Sequence, residues 1–135
     1  MTKSDGTRTG GCLCRSVRYR LVGALEPVMQ CHCENCRRLS GNFVAACRVD
    51  ARDMIIDDAD DQMTWYDVGY AEYAFCRRCG STLMFRAVDR RDNPSLMVGT
   101  LDDAKGLGLK SVWFADEAQE HNTLPAGVPH HDGNA

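Results

Sequence analysis

The sequence contains no long apolar run, little helical periodicity and no excess of positive charge. Nowhere in its 135 residues do about 18 consecutive apolar residues occur, so no membrane-spanning helix is predicted. The first eleven residues lack the apolar segment of a signal peptide, which predicts a cytoplasmic protein. The 16 Lys and Arg against 19 Asp and Glu give a net charge of -3, which argues against a general nucleic-acid binder.

No linker or low-complexity segment divides the chain. Its length fits one domain that buries roughly two thirds of its unfolded surface. The start of the chain is polar, and its end contains several turn-forming residues, which are Pro125, Gly127, Pro129 and Gly133. We therefore predict a flexible N-terminus over residues 1–9, one domain over 10–122 and a flexible C-terminal tail over 123–135.

Helical patterns are scarce as well. No window of a dozen residues repeats apolar side chains at spacings of three and four, whereas short apolar or alternating segments predict strands. The predicted strands contain residues 17–21, 43–47, 64–66, 73–75, 82–85, 96–98 and 112–114. Only 34–39 and 102–104 are predicted as single helical turns. The pattern indicates a mainly β, antiparallel fold with metal sites at its loops.

Cysteine is plentiful and closely spaced. Seven of the eight cysteines fall into three groups, which are Cys12 and Cys14, then Cys31, Cys33 and Cys36, and finally Cys76 and Cys79. Cytoplasmic thiols stay reduced, so these groups are interpreted as metal ligands and not as disulfides. Two thiolates one or two residues apart can bind one tetrahedral ion at about 2.3 Å, and soft thiolates favour zinc. Seven ligands are too many for one ion.

The two outer groups together predict a closed site. Cys76 and Cys79, followed by Gly80, resemble a zinc knuckle, in which the glycine lets backbone amides approach the sulfur. A knuckle needs two further ligands, and Cys12 and Cys14 are the natural pair. Four thiolates complete a tetrahedral shell, so this site is predicted to be structural.

The middle group predicts an open site. Cys31, Cys33 and Cys36 have no obvious fourth partner, and three protein ligands with one free position are typical of catalytic zinc. A substrate thiol that enters that position would lose its proton and become an aligned nucleophile or leaving group. The alternative is a second inert site in which a further side chain closes the shell, the candidates being His32, Cys47 and His121.

Other side chains have two interpretations each. Cys47 lies in an apolar segment, where a free cysteine is more often a small buried hydrophobe than a reactive group. Arginines beside the cysteine groups can bind substrate carboxylates or simply face solvent, and they are Arg15, Arg37, Arg38, Arg77 and Arg78. Aromatic residues can line a pocket or fill the core, and they are Trp65, Tyr66, Tyr70, Trp113 and Phe114.

Short motifs around the cysteines occur in a specific order. They are Gly10-Gly11-Cys12-Leu13-Cys14, Cys31-His32-Cys33-Glu34-Asn35-Cys36-Arg37-Arg38, Phe75-Cys76-Arg77-Arg78-Cys79-Gly80-Ser81 and Val98-Gly99-Thr100-Leu101-Asp102. With these motifs, residues 10–115 resemble the glutathione-dependent formaldehyde-activating enzyme family, also known for its centromere protein V members. The resemblance implies the Mss4-like fold, a tent of antiparallel β-sheets with zinc at the loops.

The resemblance also implies roles for the cysteines. It assigns one structural zinc ion to Cys12, Cys14, Cys76 and Cys79, and one catalytic zinc ion to Cys31, Cys33 and Cys36. The implied activity is that of a carbon–sulfur lyase acting on an adduct of glutathione or another small thiol. The family's named reaction condenses formaldehyde with glutathione to S-hydroxymethylglutathione. We further hypothesise that Arg37 and Arg38 hold glutathione carboxylates.

One segment of the chain departs from the family pattern. Many relatives carry a His-Ile-aromatic segment near the end, whereas this chain has Lys110-Ser111-Val112-Trp113-Phe114, so its substrate pocket is expected to differ. The alternative function is a non-catalytic zinc-binding module that recognises a protein partner. An odd group of three thiolates favours the enzyme, because a binding module has no need of an open metal position. The sequence predicts no oligomeric state.

Overall fold

A computed structural model of the chain describes residues 7–133, which form two β-sheets and one short α-helix. The smaller sheet contains three antiparallel strands in the order β1 (Arg8–Gly11), β2 (Arg18–Leu21) and β5 (Met54–Asp57). The helix α1 spans Glu34–Ser40. Single 3-10 turns occupy Ala51–Asp53, Val98–Thr100 and Ala115–Glu117. No helix within 7–133 is long and apolar enough to cross a membrane.

The larger sheet has seven strands. In chain order they are β3 (Val28–Cys31), β4 (Val44–Arg48), β6 (Met63–Asp67), β7 (Ala71–Cys76), β8 (Thr82–Ala87), β9 (Ser95–Met97) and β10 (Leu109–Trp113). Their order across the sheet is β10-β3-β4-β9-β8-β7-β6. All neighbours are antiparallel except β10 and β3, which run parallel. The predicted mainly β fold is confirmed, with one parallel pair added.

The hydrophobic core lies between the two sheets. Alternation along β2 buries Tyr19 and Leu21, and from the larger sheet Cys47, Leu83 and Leu96 join the same buried cluster. The side chain of Cys47 is completely buried there, which raises the pKa of its thiol to about 11. Cys47 therefore acts as the small buried hydrophobe that its sequence context predicts.

The opposite face of β4 belongs to a second, smaller cluster. Because successive side chains of a strand point to opposite sides, Val44 and Ala46 lie on the face away from Cys47. They pack with Cys36, Tyr73 and other side chains in a cluster separate from the main core. Strand β4 thus contributes to the main core on one face and to the smaller cluster on the other.

The predicted elements agree with most of the structure. All seven predicted strand segments overlap strands, and the predicted turn at 34–39 is α1. The predicted helical turn at 102–104 is wrong, because the nearest helical turn is Val98–Thr100. Asp102 instead accepts hydrogen bonds from Arg18 and from Thr9, each at 2.6 Å. These bonds hold the pKa of Asp102 at about 2 and fix the segment against the smaller sheet.

The predicted flexible ends lie partly outside the described residues, which exclude 1–6 and 134–135. Residues 8 and 9 belong to β1. The described end of the chain runs beside β10, where the amide of Val112 donates to the Pro129 carbonyl at 3.0 Å and that of His131 donates to the Val112 carbonyl at 2.8 Å. The domain limits at 10 and 122 stay predictions.

Gly10 lies in a tightly packed position between Tyr19 and Thr100. It pairs with Tyr19, whose hydroxyl is hydrogen-bonded to Thr100 Oγ1 at 2.7 Å. A Cβ at position 10 would overlap both the Tyr19 hydroxyl and the Thr100 carbonyl oxygen. We expect Gly10→Ala to destabilise the protein by about 1–3 kcal/mol, because overpacking displaces a buried hydrogen-bonded side chain.

Thermal unfolding followed by circular dichroism measures this effect, as a fall in Tm. Gly99→Ala is the matched control, because a Cβ at Gly99 meets nothing within 4 Å and that glycine is exposed. Equal Tm values for the two variants would show that the structure accommodates a Cβ at position 10 without loss of stability.

Candidate metal centres and the adjoining cavity

The two outer cysteine groups meet in the structure. Cys12 and Cys14 lie in the turn after β1, Cys76 ends β7, and Cys79 follows in the next turn. Their four Sγ atoms all lie within 4.8 Å of one another. Cys12 Sγ is 3.6 Å from Cys14 Sγ, which is 3.8 Å from Cys76 Sγ. A tetrahedral ion at 2.3 Å from each sulfur requires a separation of about 3.8 Å, so the group fits one zinc ion.

Short backbone contacts shape the turns around this group. Gly80 has a left-handed φ of 80°, and its amide donates to the Cys76 carbonyl at 2.8 Å, which closes the knuckle turn. The amide of Leu13 donates to Ser81 Oγ at 2.9 Å and so joins the turn after β1 to the turn after β7. The four sulfurs therefore lie at a junction between the smaller and the larger sheet.

Ser16 is a neighbour of this group that the sequence does not single out. Its Oγ lies 3.1 Å from Cys14 Sγ and 3.5 Å from Cys76 Sγ. The amide of Val17 also approaches Cys12 Sγ, at 3.3 Å. Hydrogen bonds to sulfur stabilise thiolates, so these donors suit a group whose members must lose their protons to bind metal.

The three middle cysteines form a second group. Cys31 ends β3, Cys33 is the N-cap of α1, and Cys36 lies in the first turn of that helix. Their Sγ atoms also lie within 4.8 Å of one another. Cys33 Sγ accepts the amide of Cys36 at 3.4 Å, and Cys36 Sγ lies 3.7 Å from the hydroxyl of Tyr73. The end of β3 and the start of α1 thus bring the three sulfurs together.

No fourth His, Cys, Asp or Glu joins this second group within residues 7–133. His32 is buried and stacks on Phe43, with 4.9 Å between the ring centroids. Cys47 lies in the main core, and His121 is exposed. None of the three side chains that the sequence offered as a fourth ligand therefore belongs to the group.

The three thiols of this group strongly shift one another's pKa values. Hydrogen bonds from Cys31 and Cys36 lower the pKa of Cys33 to about 2. The contact with Cys33, together with burial, raises the pKa of Cys31 to about 11, and contacts with both other cysteines raise the pKa of Cys36 far above its usual value. Like charges this close together oppose one another, so a bound cation favours the state in which all three sulfurs are thiolates. This donor set fits a soft divalent metal such as zinc.

A cavity of about 670 Å³ opens beside the three-cysteine group. Cys31, Cys33 and Cys36 all line it. Much of the remaining lining comes from one face of the larger sheet and is largely apolar, including Met29, Val44, Ala46, Phe85, Met97 and Trp113. The four-cysteine group differs, because only Cys12 of its members lines a smaller groove of about 320 Å³.

Three of the five aromatic residues considered for a pocket line this cavity. They are Tyr70, Trp113 and Phe114. Trp65 instead packs against the main core, with its ring centre 4.0 Å from the guanidinium carbon of Arg86, and Tyr66 is exposed. The Lys110–Phe114 segment singled out in the sequence therefore does contribute to the cavity wall.

The arginines of the cavity are not those beside the cysteine motifs. Arg48 and Arg90 line it, whereas Arg37 and Arg38 do not. Arg38 binds Glu34 at 2.9 Å on the exposed side of α1. The sequence hypothesis missed Arg48 because it lies in β4, twelve residues after Cys36. The available signal was its alternation with Val44 and Ala46, which places the three on one strand face.

Comparison with known proteins adds three findings. The model of the family described as glutathione-dependent formaldehyde-activating enzyme matches residues 7–117. An uncharacterized lyase of Schizosaccharomyces pombe is 30% identical over 78 residues, which are 56% of this chain and 55% of that protein. The chain thus aligns with about half the length of this curated relative.

The third finding concerns a solved structure. A crystal structure of a Rhodobacter sphaeroides protein, a structural genomics target, superposes with a TM-score of 0.58 at 20% sequence identity. The match covers 90% of this chain and 98% of that one. At this level of identity the likeness shows a shared fold.

Proposed function

Because this chain belongs to the glutathione-dependent formaldehyde-activating enzyme family, we propose that it is a zinc-dependent carbon–sulfur lyase acting on an adduct of glutathione or another small thiol. One observation carries the proposal. The three-cysteine group has no fourth ligand within 7–133, and all three of its members line the large cavity. A metal position open to a cavity of this size is a place where a substrate sulfur can bind.

The two cysteine groups would then have different roles. Four thiolates from Cys12, Cys14, Cys76 and Cys79 fill a tetrahedral shell, so an ion held there stabilises the fold. Three thiolates from Cys31, Cys33 and Cys36 leave one position for the substrate. Both groups have sulfur separations compatible with zinc.

The reaction we propose joins a thiol to an aldehyde, or reverses that step. The thiol sulfur forms a bond to the carbonyl carbon, the carbonyl π bond becomes a C–O single bond, and the thiol proton ends on the oxygen. With glutathione and formaldehyde the product is S-hydroxymethylglutathione. Zinc bound at the three cysteines would supply Lewis acidity. It would lower the pKa of a substrate thiol bound to it, so that this thiol is ionised at neutral pH.

Residues around the three cysteines position the metal ligands and form the wall of the cavity beside them. The hydroxyl of buried Tyr73 lies 3.7 Å from Cys36 Sγ and fixes the position of that ligand. Asn35 Nδ2 donates to the Tyr70 hydroxyl at 3.1 Å, which secures an aromatic ring of the cavity wall beside the cysteines. The apolar lining limits the access of water to an adduct that water would otherwise solvate.

Metal analysis tests this division of roles. We expect about two zinc ions per chain, of which mild chelation removes the one at the open group and leaves the one at the closed group. Elemental analysis before and after chelation measures both. Thiol titration of the chelated protein should then detect the open cysteines, with Cys31 and Cys33 only half-buried.

Rates of thiol–aldehyde exchange, followed by NMR with glutathione and formaldehyde, complete the test. Acceleration that chelation removes and zinc restores supports the proposal. A single tightly held ion, together with Cys31, Cys33 and Cys36 reacting as free thiols in the untreated protein, would favour the non-catalytic module. Acceleration with other thiol adducts but not with these two substrates would keep the reaction class and change the substrate.

A further inference from the structure

The cavity is lined by a positive charge that forms no direct ion pair within the described residues. The guanidinium of Arg48 lies 5.4 Å from the centre of the Trp113 ring and makes no hydrogen bond or ion pair within residues 7–133. Arg48 is half-buried, and burial together with the nearby charge of Arg90 lowers its pKa, while the charge of Glu26 acts in the opposite direction. A partly desolvated cation beside a second cation is costly unless an anion joins them. Two arginines that line one cavity, with no carboxylate in direct contact with Arg48 within residues 7–133, therefore indicate an anion-binding position.

The acidic residues of the cavity do not fill this position. Glu34 lines the cavity but binds Arg38. Asp89 also lines it, is exposed to solvent and forms no ion pair with Arg48 or Arg90 within 7–133. A carboxylate brought by a ligand would form the direct ion pair that Arg48 lacks within the described residues, and guanidinium binds carboxylates in a two-pronged geometry.

The space between Arg48 and the cysteines is apolar. Val44, Ala46 and Arg48 line the cavity from the same face of β4, and Val44 pairs with Cys31 on the neighbouring strand. Met29 and Met97 lie opposite Ala46 on the strands at either side. A ligand that reaches from the sulfur position to Arg48 would cross methionine, valine and alanine side chains. Polar groups placed there would lose water without gaining hydrogen bonds.

We propose that this cavity binds a thiol adduct whose body is apolar and which carries a carboxylate that pairs with Arg48, with Arg90 adding positive charge nearby. The sulfur end of this substrate class rests on the proposed lyase function, whereas the carboxylate position rests on Arg48 and the cavity alone. Glutathione differs from this substrate class, because its amides, ammonium group and two carboxylates need more polar partners than the apolar path from the cysteines to Arg48 offers.

Binding of two matched probes tests the carboxylate position without using the reaction. Isothermal titration calorimetry of the zinc-loaded protein gives the affinities of 4-phenylbutyrate and 4-phenyl-1-butanol. The first ligand ends in a carboxylate and the second in a neutral hydroxyl group. We expect the carboxylate to bind about tenfold or more tightly than the alcohol. Arg48→Met should remove this preference, because methionine can still pack on Trp113 but has no charge.

Arg52→Met is the matched control, since Arg52 is exposed, binds Asp50 and lies outside the cavity. It should leave the affinity for 4-phenylbutyrate unchanged. Circular dichroism of both variants verifies folding, and Arg48→Lys, which keeps the charge, should retain part of the preference. Equal binding of the two probes by the unaltered protein, or a preference that survives Arg48→Met, would overturn the proposal.

A second pair of probes separates this proposal from the lyase function. Titration with 6-mercaptohexanoate, 6-mercapto-1-hexanol and glutathione reports on the sulfur end. Thiols that bind in a zinc-dependent way but show no preference for the carboxylate, or tighter binding of glutathione than of 6-mercaptohexanoate, would contradict the substrate class and leave the lyase function standing. Arg48-dependent binding of 4-phenylbutyrate with no zinc-dependent thiol binding would contradict the lyase function alone.

Discussion

Replacing Cys76 by serine is expected to unfold the protein at room temperature. Cys76 is completely buried, ends β7 and contributes one of four sulfurs at the junction of the two sheets. Structural zinc contributes an apparent binding free energy of about 10–16 kcal/mol to small domains. Whole domains are stable by only about 5–15 kcal/mol, so weakening this site removes most of the stability. Circular dichroism and elemental analysis would record loss of structure together with loss of zinc.

Cys47→Ser provides a matched control for this variant. Cys47 and Cys76 are both completely buried, and both belong to the main core, but Cys47 lies outside the metal groups. Burying a serine hydroxyl at position 47 should cost about 1–3 kcal/mol, with the fold and the zinc content preserved. If both variants lost the same stability, the effect at Cys76 would come from burial of a polar group and not from loss of a metal ligand.

Replacing Cys33 by serine is expected to abolish turnover and leave the fold intact. Cys33 caps α1 by accepting the Cys36 amide, and serine is among the best residues for this capping position. The helix therefore keeps its cap while the open metal group loses one of three thiolates. We expect kcat/KM for the thiol–aldehyde reaction to fall by about 1000-fold or more, as when a catalytic metal site is disrupted.

Steady-state rates, zinc content and Tm distinguish this result from general damage. The Cys33→Ser protein should keep about one zinc ion per chain and unfold within a few degrees of the unaltered protein. Full activity with one zinc ion would remove the catalytic role of the three-cysteine group. Unfolding as complete as that of Cys76→Ser would instead remove the distinction between a structural and a catalytic site.

The pairing of the cysteine groups was predictable because it depends on short-range geometry and ligand number. Close pairs such as Cys76 and Cys79 each present two sulfurs, and the number of ligands per zinc ion fixes how pairs combine. The structure brings together the pairs that this reasoning joined. Likewise, the short alternating segments predicted most strands, since alternation is a local property of the backbone.

Features that depend on distant contacts were missed. Strand β1 has the sequence Arg-Thr-Gly-Gly, which has low strand propensity and becomes a strand by pairing with β2. The helical turn predicted at 102–104 does not form, and Asp102 is bound to Arg18 and Thr9 far away in sequence. The sequence does not predict that Arg48 lines the cavity, because this position follows from strand register across the larger sheet.

The two faces of β4 separate ligand contacts from core packing. Val44, Ala46 and Arg48 line the cavity, whereas Cys47 is buried in the main core. Substitutions at the three cavity positions therefore change the surface that a ligand meets, while the side chain of Cys47 keeps its contacts in the main core. Relatives that share this strand and the metal groups can diverge in the compounds they accept while the scaffold is retained.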